Sequence, residues 1–145
     1  MTGILGTERF EVQARLEGDR LIGRVGGALM AREVLLELSE TGVRGTLGGK
    51  NGVAVKLEMA HGELVGSIGA DAIALRGVDV VSAEIGTGLG AVQMRAAQRG
   101  DALEGRIGGL TGKPFSLTLD GAPGWIGALL MLSAYCALER SAPKA

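Results

Sequence analysis

Aromatic side chains, cysteine, histidine and proline are all scarce in this chain of 145 residues. Phe10, Phe115, Trp125 and Tyr135 are its aromatics, Cys136 its one cysteine, His61 its one histidine, and it has three prolines. A single cysteine excludes an intramolecular disulfide and a cysteine-based zinc site; lying in the most apolar stretch of the chain, Cys136 reads as a small buried hydrophobe. His61 falls in the turn-like "AHGE" with no nucleophile or patterned carboxylate beside it, so no acid–base pair is built around it. An excess of charge of one sign is missing too. Fifteen basic and sixteen acidic residues leave a net charge of −1, which gives no global drive toward nucleic acid or an anionic membrane. The opening "MTGILGTERFEV" lacks the basic region and continuous apolar core of a secretion signal, so the expected location is cytoplasmic.

Glycine is what the chain has instead: 26 residues, or about 18% against a usual ~7%. The residues between the glycines are Val, Ile, Leu and Ala, which argues against disorder. The glycines recur in a motif, "LIGRVGG" (Leu21–Gly27), "VRGTLGG" (Val43–Gly49), "LVGSIGA" (Leu64–Ala70) and "LEGRIGG" (Leu103–Gly109). Aligned on its central glycine, the motif gives six copies at Gly23, Gly45, Gly66, Ala83, Gly105 and Gly124, with a loose period of about twenty. Each copy pairs this run with an alternating apolar run such as "FEVQARL", "EVLLELS" or "VAVKLEM". Short polar connectors, "EGD", "ETG", "AHGE" and "QRGD", join the halves and carry hairpin chemistry. The chain therefore reads as a meander of about twelve strands, with hairpins over residues 8–122. Side chains alternate along a strand, so Leu103, Gly105 and Ile107 share the apolar, inward face while Glu104 and Arg106 point outward. Glycine inside a strand costs stability and marks a bend or a close approach of backbone; its repetition in register predicts that it clears space for something.

The run "GWIGALLMLSAYCALER" supplies a candidate for what fills that space. It has no charge before Glu139 and is rich in good helix formers, which predicts an apolar helix over residues 124–140. A helix that is apolar all round must be buried, and this one is shorter than a membrane crossing needs. A closed sheet of twelve strands is too wide for its own side chains to fill. The expected fold is thus a mainly β single domain over residues 1–145: an antiparallel barrel of about twelve strands closed around the C-terminal helix.

That hairpin order and terminal helix resemble the tubby C-terminal superfamily, which includes the tubby-like proteins, the plant LURP-one-related proteins and the phospholipid scramblases. The resemblance is one of architecture, and it implies association with lipid head groups or a membrane surface. The repeat Val/Leu-x-Gly-x-Ile-x-Ala/Gly also resembles bactofilins, which implies a different fold, a β-helix of stacked coils, and a self-assembling structural protein.

Other short motifs reduce to turns. "GGLTGKP" (Gly108–Pro114) and "LGGKNG" around Lys50 lack the first glycine and the Ser/Thr of a phosphate loop, and "RGD" (Arg99–Asp101) sits between two strand-like runs. Asp19, Asp71, Asp79, Asp101 and Asp120 follow turn preference without calcium-loop spacing. Ser67, Ser82, Ser116 and Ser133 lack a nucleophile context. The expected function is accordingly non-enzymatic: a binding module needing no cofactor or metal, with a membrane surface or protein partner, or a second copy of itself, rather than nucleic acid, as its target. Arg24, Arg44 and Arg106 occupy equivalent outward positions and are the candidate ligand-binding residues.

Overall fold

Strands with one apolar and one polar face have to bury the first and pair their backbone groups sideways, and a meander long enough can do both by meeting its own start. The computed structural model describes residues 1–6, 10–26, 31–48, 52–86, 91–108 and 112–137, and it shows this closure. The strands are β1 (Thr2–Leu5), β2 (Phe10–Glu17), β3 (Arg20–Gly26), β4 (Ala31–Leu38), β5 (Gly42–Leu47), β6 (Val53–Ala60), β7 (Glu63–Ile68), β8 (Asp71–Gly77), β9 (Val80–Ile85), β10 (Val92–Arg99), β11 (Ala102–Ile107) and β12 (Lys113–Thr118), followed by the helix α1 (Gly124–Tyr135). Each strand pairs antiparallel with its chain neighbours, and β1 pairs with β12 to complete a closed barrel. Closure leaves no strand edge free for pairing. It also overturns the stacked-coil alternative, because successive coils of a β-helix would pair in parallel.

The sixth repeat is not where the sequence spacing places it. Gly124 opens the helix rather than a strand, and the missing half-repeat is at the other end of the chain. "MTGILG" (Met1–Gly6) aligns with "LEGRIG" (Leu103–Gly108), and β1 takes the place of the second strand beside β12. The barrel thus begins at Thr2, outside the expected 8–122. Inward pairs repeat in all six copies: Met1/Leu5, Leu21/Val25, Val43/Leu47, Leu64/Ile68, Val81/Ile85 and Leu103/Ile107 are all buried. A fully buried aliphatic side chain contributes about 1.5–3 kcal/mol, so this ring makes a large share of the core.

The motif's central glycines do not clear the helix. A methyl group on Gly45 would press on the backbone of β4, 2.8 Å from Leu36 Cα, and one on Gly23 would meet Ala14 of β2 at 2.5 Å. What they admit is the neighbouring strand, which lets the wall bend sharply enough to close. The helix gains its room differently. It runs nearest to β1, β2 and β8–β11, and on three of those strands the inward residue is alanine: Ala14, Ala83 and Ala96, each buried. The helix also contributes a glycine of its own, since a Cβ on Gly127 would meet the leucine tips Leu119 Cδ2 at 2.5 Å and Leu117 Cδ2 at 3.0 Å.

A glycine three residues after the central position, which is Ala83 in one copy and glycine in the others, ends the motif. Gly48 and Gly86 take φ of 90° and 86°, a region that other residues rarely adopt. Their N–H groups donate to Glu33 O and Ala72 O, each at 2.7 Å, which finishes the ladder.

The helix is buried along its length from Ile126 to Ala134. Its described extent, Gly124–Tyr135, is shorter than the expected 124–140, and residues 138–140 lie outside the described residues. No described helix is long and apolar enough to cross a membrane. Cys136 is fully buried, as its apolar surroundings predict. Ser133 is also fully buried, and its hydroxyl has no hydrogen-bond partner among the described residues.

Candidate functional site

The three candidate arginines stand on three separate parts of the wall. All are exposed and point outward, but Arg44 on β5 and Arg106 on β11 lie on opposite sides of the barrel, with Arg24 on β3 between them. Their expected equivalence holds for Arg24 and Arg106, which follow the central glycine, but not for Arg44, which precedes it; equivalent positions in a repeat in any case become separate positions around the ring once the repeats close. Arg44 is ion-paired with Glu58 at 3.3 Å, and Arg106 donates to Gly112 O at 3.2 Å. Arg24 sits across from Gln13 and Glu33. Arg106 does have a basic neighbour that the spacing does not reveal. Arg95 on β10 is directly opposite it, Ser82 lies on the far side of Arg95, and Arg76 follows.

The other short motifs resolve into architecture. His61 (φ 52°) and Gly62 (φ 80°) are the two central residues of the β6–β7 turn, the positive-φ pair of a type I′ hairpin. In the Arg99–Asp101 stretch, Gly100 turns the chain with φ 61°, and the Asp101 carboxylate accepts the backbone N–H groups of Asp120 and Gly121 at 3.1 and 2.9 Å. Asp120 in turn pairs with the buried Met1 ammonium at 3.1 Å, tying β1 to the segment that leads into the helix. Residues 49–51, with Lys50, and 109–111 lie outside the described residues. Among the described residues, no group of His, Cys, Asp and Glu side chains could hold a metal ion.

The feature most like a binding site is at the end of the barrel where the helix enters. The hairpin turns β2–β3, β4–β5, β6–β7, β8–β9 and β10–β11 and the β12–α1 connection gather at this mouth. Between β4–β5, β6–β7 and β8–β9 opens a cavity of about 330 Å³. The buried side chains Val43, Leu64 and Leu75 lie deepest in it, Trp125 lines it from the first turn of the helix, and Met59 and Val78 stand at its lip. The lip residues are exposed, Met59 by 49% and Val78 by 61%, and Val80 beside them is 74% exposed. A neighbouring cleft of about 650 Å³ is polar instead, crossed by the Arg20–Glu37 and Arg44–Glu58 pairs.

Sequence reasoning misses this site because its residues are spread over residues 39–125 and no one stretch contains it. One local signal exists. In "RGVDVV", Val78 and Val80 flank Asp79 at a turn, where apolar residues are out of place. Set against known protein families, curated proteins and solved structures, the chain matches none.

Proposed function

We propose that this protein is a non-enzymatic binding module that engages a protein partner at the helix-entry mouth, taking an apolar side chain into the cavity beside Trp125. The observation that carries this reading is the coincidence of an apolar cavity with exposed apolar side chains at its lip, Met59 and Val78, extended by the exposed Val80 at the start of β9 just outside the lining. Single exposed apolar residues are ordinary, whereas a contiguous patch next to a concave apolar site is the usual form of a contact surface. At about 330 Å³ the cavity is at the small end of the ligand-site range, a size suited to one anchor residue. Replacing Val78 with a photo-crosslinking residue in the protein's native host tests the reading, with the same residue at Ser116 on the outer wall as control. A discrete adduct from position 78 alone is expected. Equal labelling at both positions overturns the assignment.

The lip does not account for the arginine row, which favours a second reading: an anionic head group held on the wall. Like charges directly opposite across two strands are destabilising, and Arg95 faces Arg106 in this way. A phosphate group between them would take hydrogen bonds from both guanidinium groups. This reading moves the candidate residues from Arg24, Arg44 and Arg106 to the facing pair Arg95 and Arg106. Raised thermal stability in millimolar inorganic phosphate, lost in Arg95→Ser, is its expected signature.

A further inference from the structure

The mouth carries a distribution of charge that the overall balance of the chain conceals. Asp19, Glu40, Asp79, Asp101 and Asp120 occupy the turns and the connection around it, all exposed, and His61 occupies the remaining turn. Asp101 and Asp120 have structural partners. The carboxylates of Asp19, Glu40 and Asp79 pair with no cation among the described residues. Of these, Glu40 lines the apolar cavity itself, and Asp79 lies between the exposed Val78 and Val80. Of the nearby arginines, Arg20, Arg44 and Arg76 are each engaged by a glutamate on an adjacent strand, and Arg99, exposed at the β10–β11 turn, stands outside the lining of the cavity.

Resting on the reading of the mouth as a protein-binding site, we infer that its partner is a basic peptide segment with one large apolar anchor residue. The anchor enters the cavity beside Trp125, and lysines or arginines before and after it meet Glu40 and Asp79. Two other occupants fit the charge less well. An anionic membrane surface would bring lipid phosphates against the ring of carboxylates. A second copy docked mouth to mouth would set the two rings against each other. A basic segment gains from both halves of the surface: its anchor loses water to the cavity, and its flanking charges steer it to the site.

The test starts from peptide display on the whole protein with a random dodecamer library. The expected enrichment is a single Leu, Met, Phe or Trp flanked by Lys or Arg. The best enriched peptide is then synthesised and titrated against the protein, with the emission of Trp125, the chain's one tryptophan, as the local reporter. Replacing its anchor with alanine should weaken binding about tenfold or more. Raising salt from about 0.05 to 0.5 M should do the same, since exposed charges are then screened within a few Å. In the protein, Glu40→Gln combined with Asp79→Asn should weaken binding at least about fivefold at low salt without altering the melting temperature. Val78→Ser combined with Val80→Ser should weaken it at all salt concentrations.

The failures are distinguishable. Peptides that compete at the mouth but are uncharged or acidic overturn the charge inference and leave the binding site standing. Enriched peptides indifferent to Val78→Ser and Val80→Ser, or no enrichment at all, overturn the site as well. A Trp125 response to phosphatidylserine vesicles but not to the peptides assigns the mouth to lipid. Sedimentation as a dimer that Val80→Asp dissociates assigns it to a second copy. Either outcome refutes the basic-peptide inference.

Discussion

Gly45→Ala is the substitution that most directly separates two explanations for the repeated glycine. If the glycine clears the helix, the added methyl meets α1, which runs nearer to β1, β2 and β8–β11 than to β5, and the change costs little. If it admits the neighbouring strand, the methyl lands on backbone that cannot rotate away, 2.8 Å from Leu36 Cα and 2.9 Å from the Leu35 carbonyl carbon. Overpacking of this kind costs about 1–3 kcal/mol. Against it stands a gain of about 0.5–1 kcal/mol, because alanine loses less chain entropy than glycine on folding. The net expectation is a loss of about 1–2 kcal/mol. For a chain of this size that is roughly 3–8 °C in melting temperature, readable by urea titration with unchanged slope. The reverse change at the equivalent position, Ala83→Gly, is also expected to destabilise by about 1–2 kcal/mol, since it deletes a buried methyl and frees the backbone. A neutral or stabilising Gly45→Ala refutes the strand-approach explanation.

Three further outcomes follow from the buried helix and the wall. Ser133→Ala should stabilise the fold by about 1 kcal/mol or more, because it removes a buried hydroxyl with no partner among the described residues; a lower melting temperature would mean that the hydroxyl is satisfied in solution. Cys136, fully buried, should resist a thiol reagent in the native state and react fully once denatured; rapid native labelling would show the helix leaving the barrel. Arg95→Glu turns the like-charged pair with Arg106 into an opposite-charged one and should stabilise by up to about 1 kcal/mol at low salt, a gain that shrinks as salt is added. A loss of stability at low salt would refute the repulsion.

The barrel was legible because its evidence is periodic. An alternation repeated in copy after copy predicts hairpins and strand faces, and an uncharged terminal run in a chain whose sheet is too wide to fill itself predicts an enclosed helix. Legibility stops where the evidence depends on position around the ring. The half-repeat at Thr2–Leu5 is invisible to a linear alignment that expects each copy to be contiguous, since β1 and β12 are neighbours only after closure. For the same reason Gly124 passes for a strand glycine when it opens the helix. The arginines show the converse error. Arg24 and Arg106 hold the same place after the central glycine of their repeats, with Arg44 one residue before its own, and all three are far apart in space, whereas Arg95 and Arg106, inequivalent in the repeat, face each other across one ladder.

This geometry also explains why the distinctive surface belongs to the mouth rather than the wall. Six similar hairpins give the outside of the barrel six similar faces, so a feature must break the repeat to be unique. The chain breaks it most strongly where β12 leaves the ring and turns inward through Gly121–Pro123 to start the helix. Trp125 follows at once and lines the cavity beside the β4–β5 and β6–β7 hairpins, on a helix that lies nearer to β1, β2 and β8–β11. The space left on that side is the apolar cavity. Its position follows from one off-centre helix in a near-regular ring, and substitutions that recentre the helix, such as enlarging Ala83 or Ala96, should reshape the cavity without touching its lining residues.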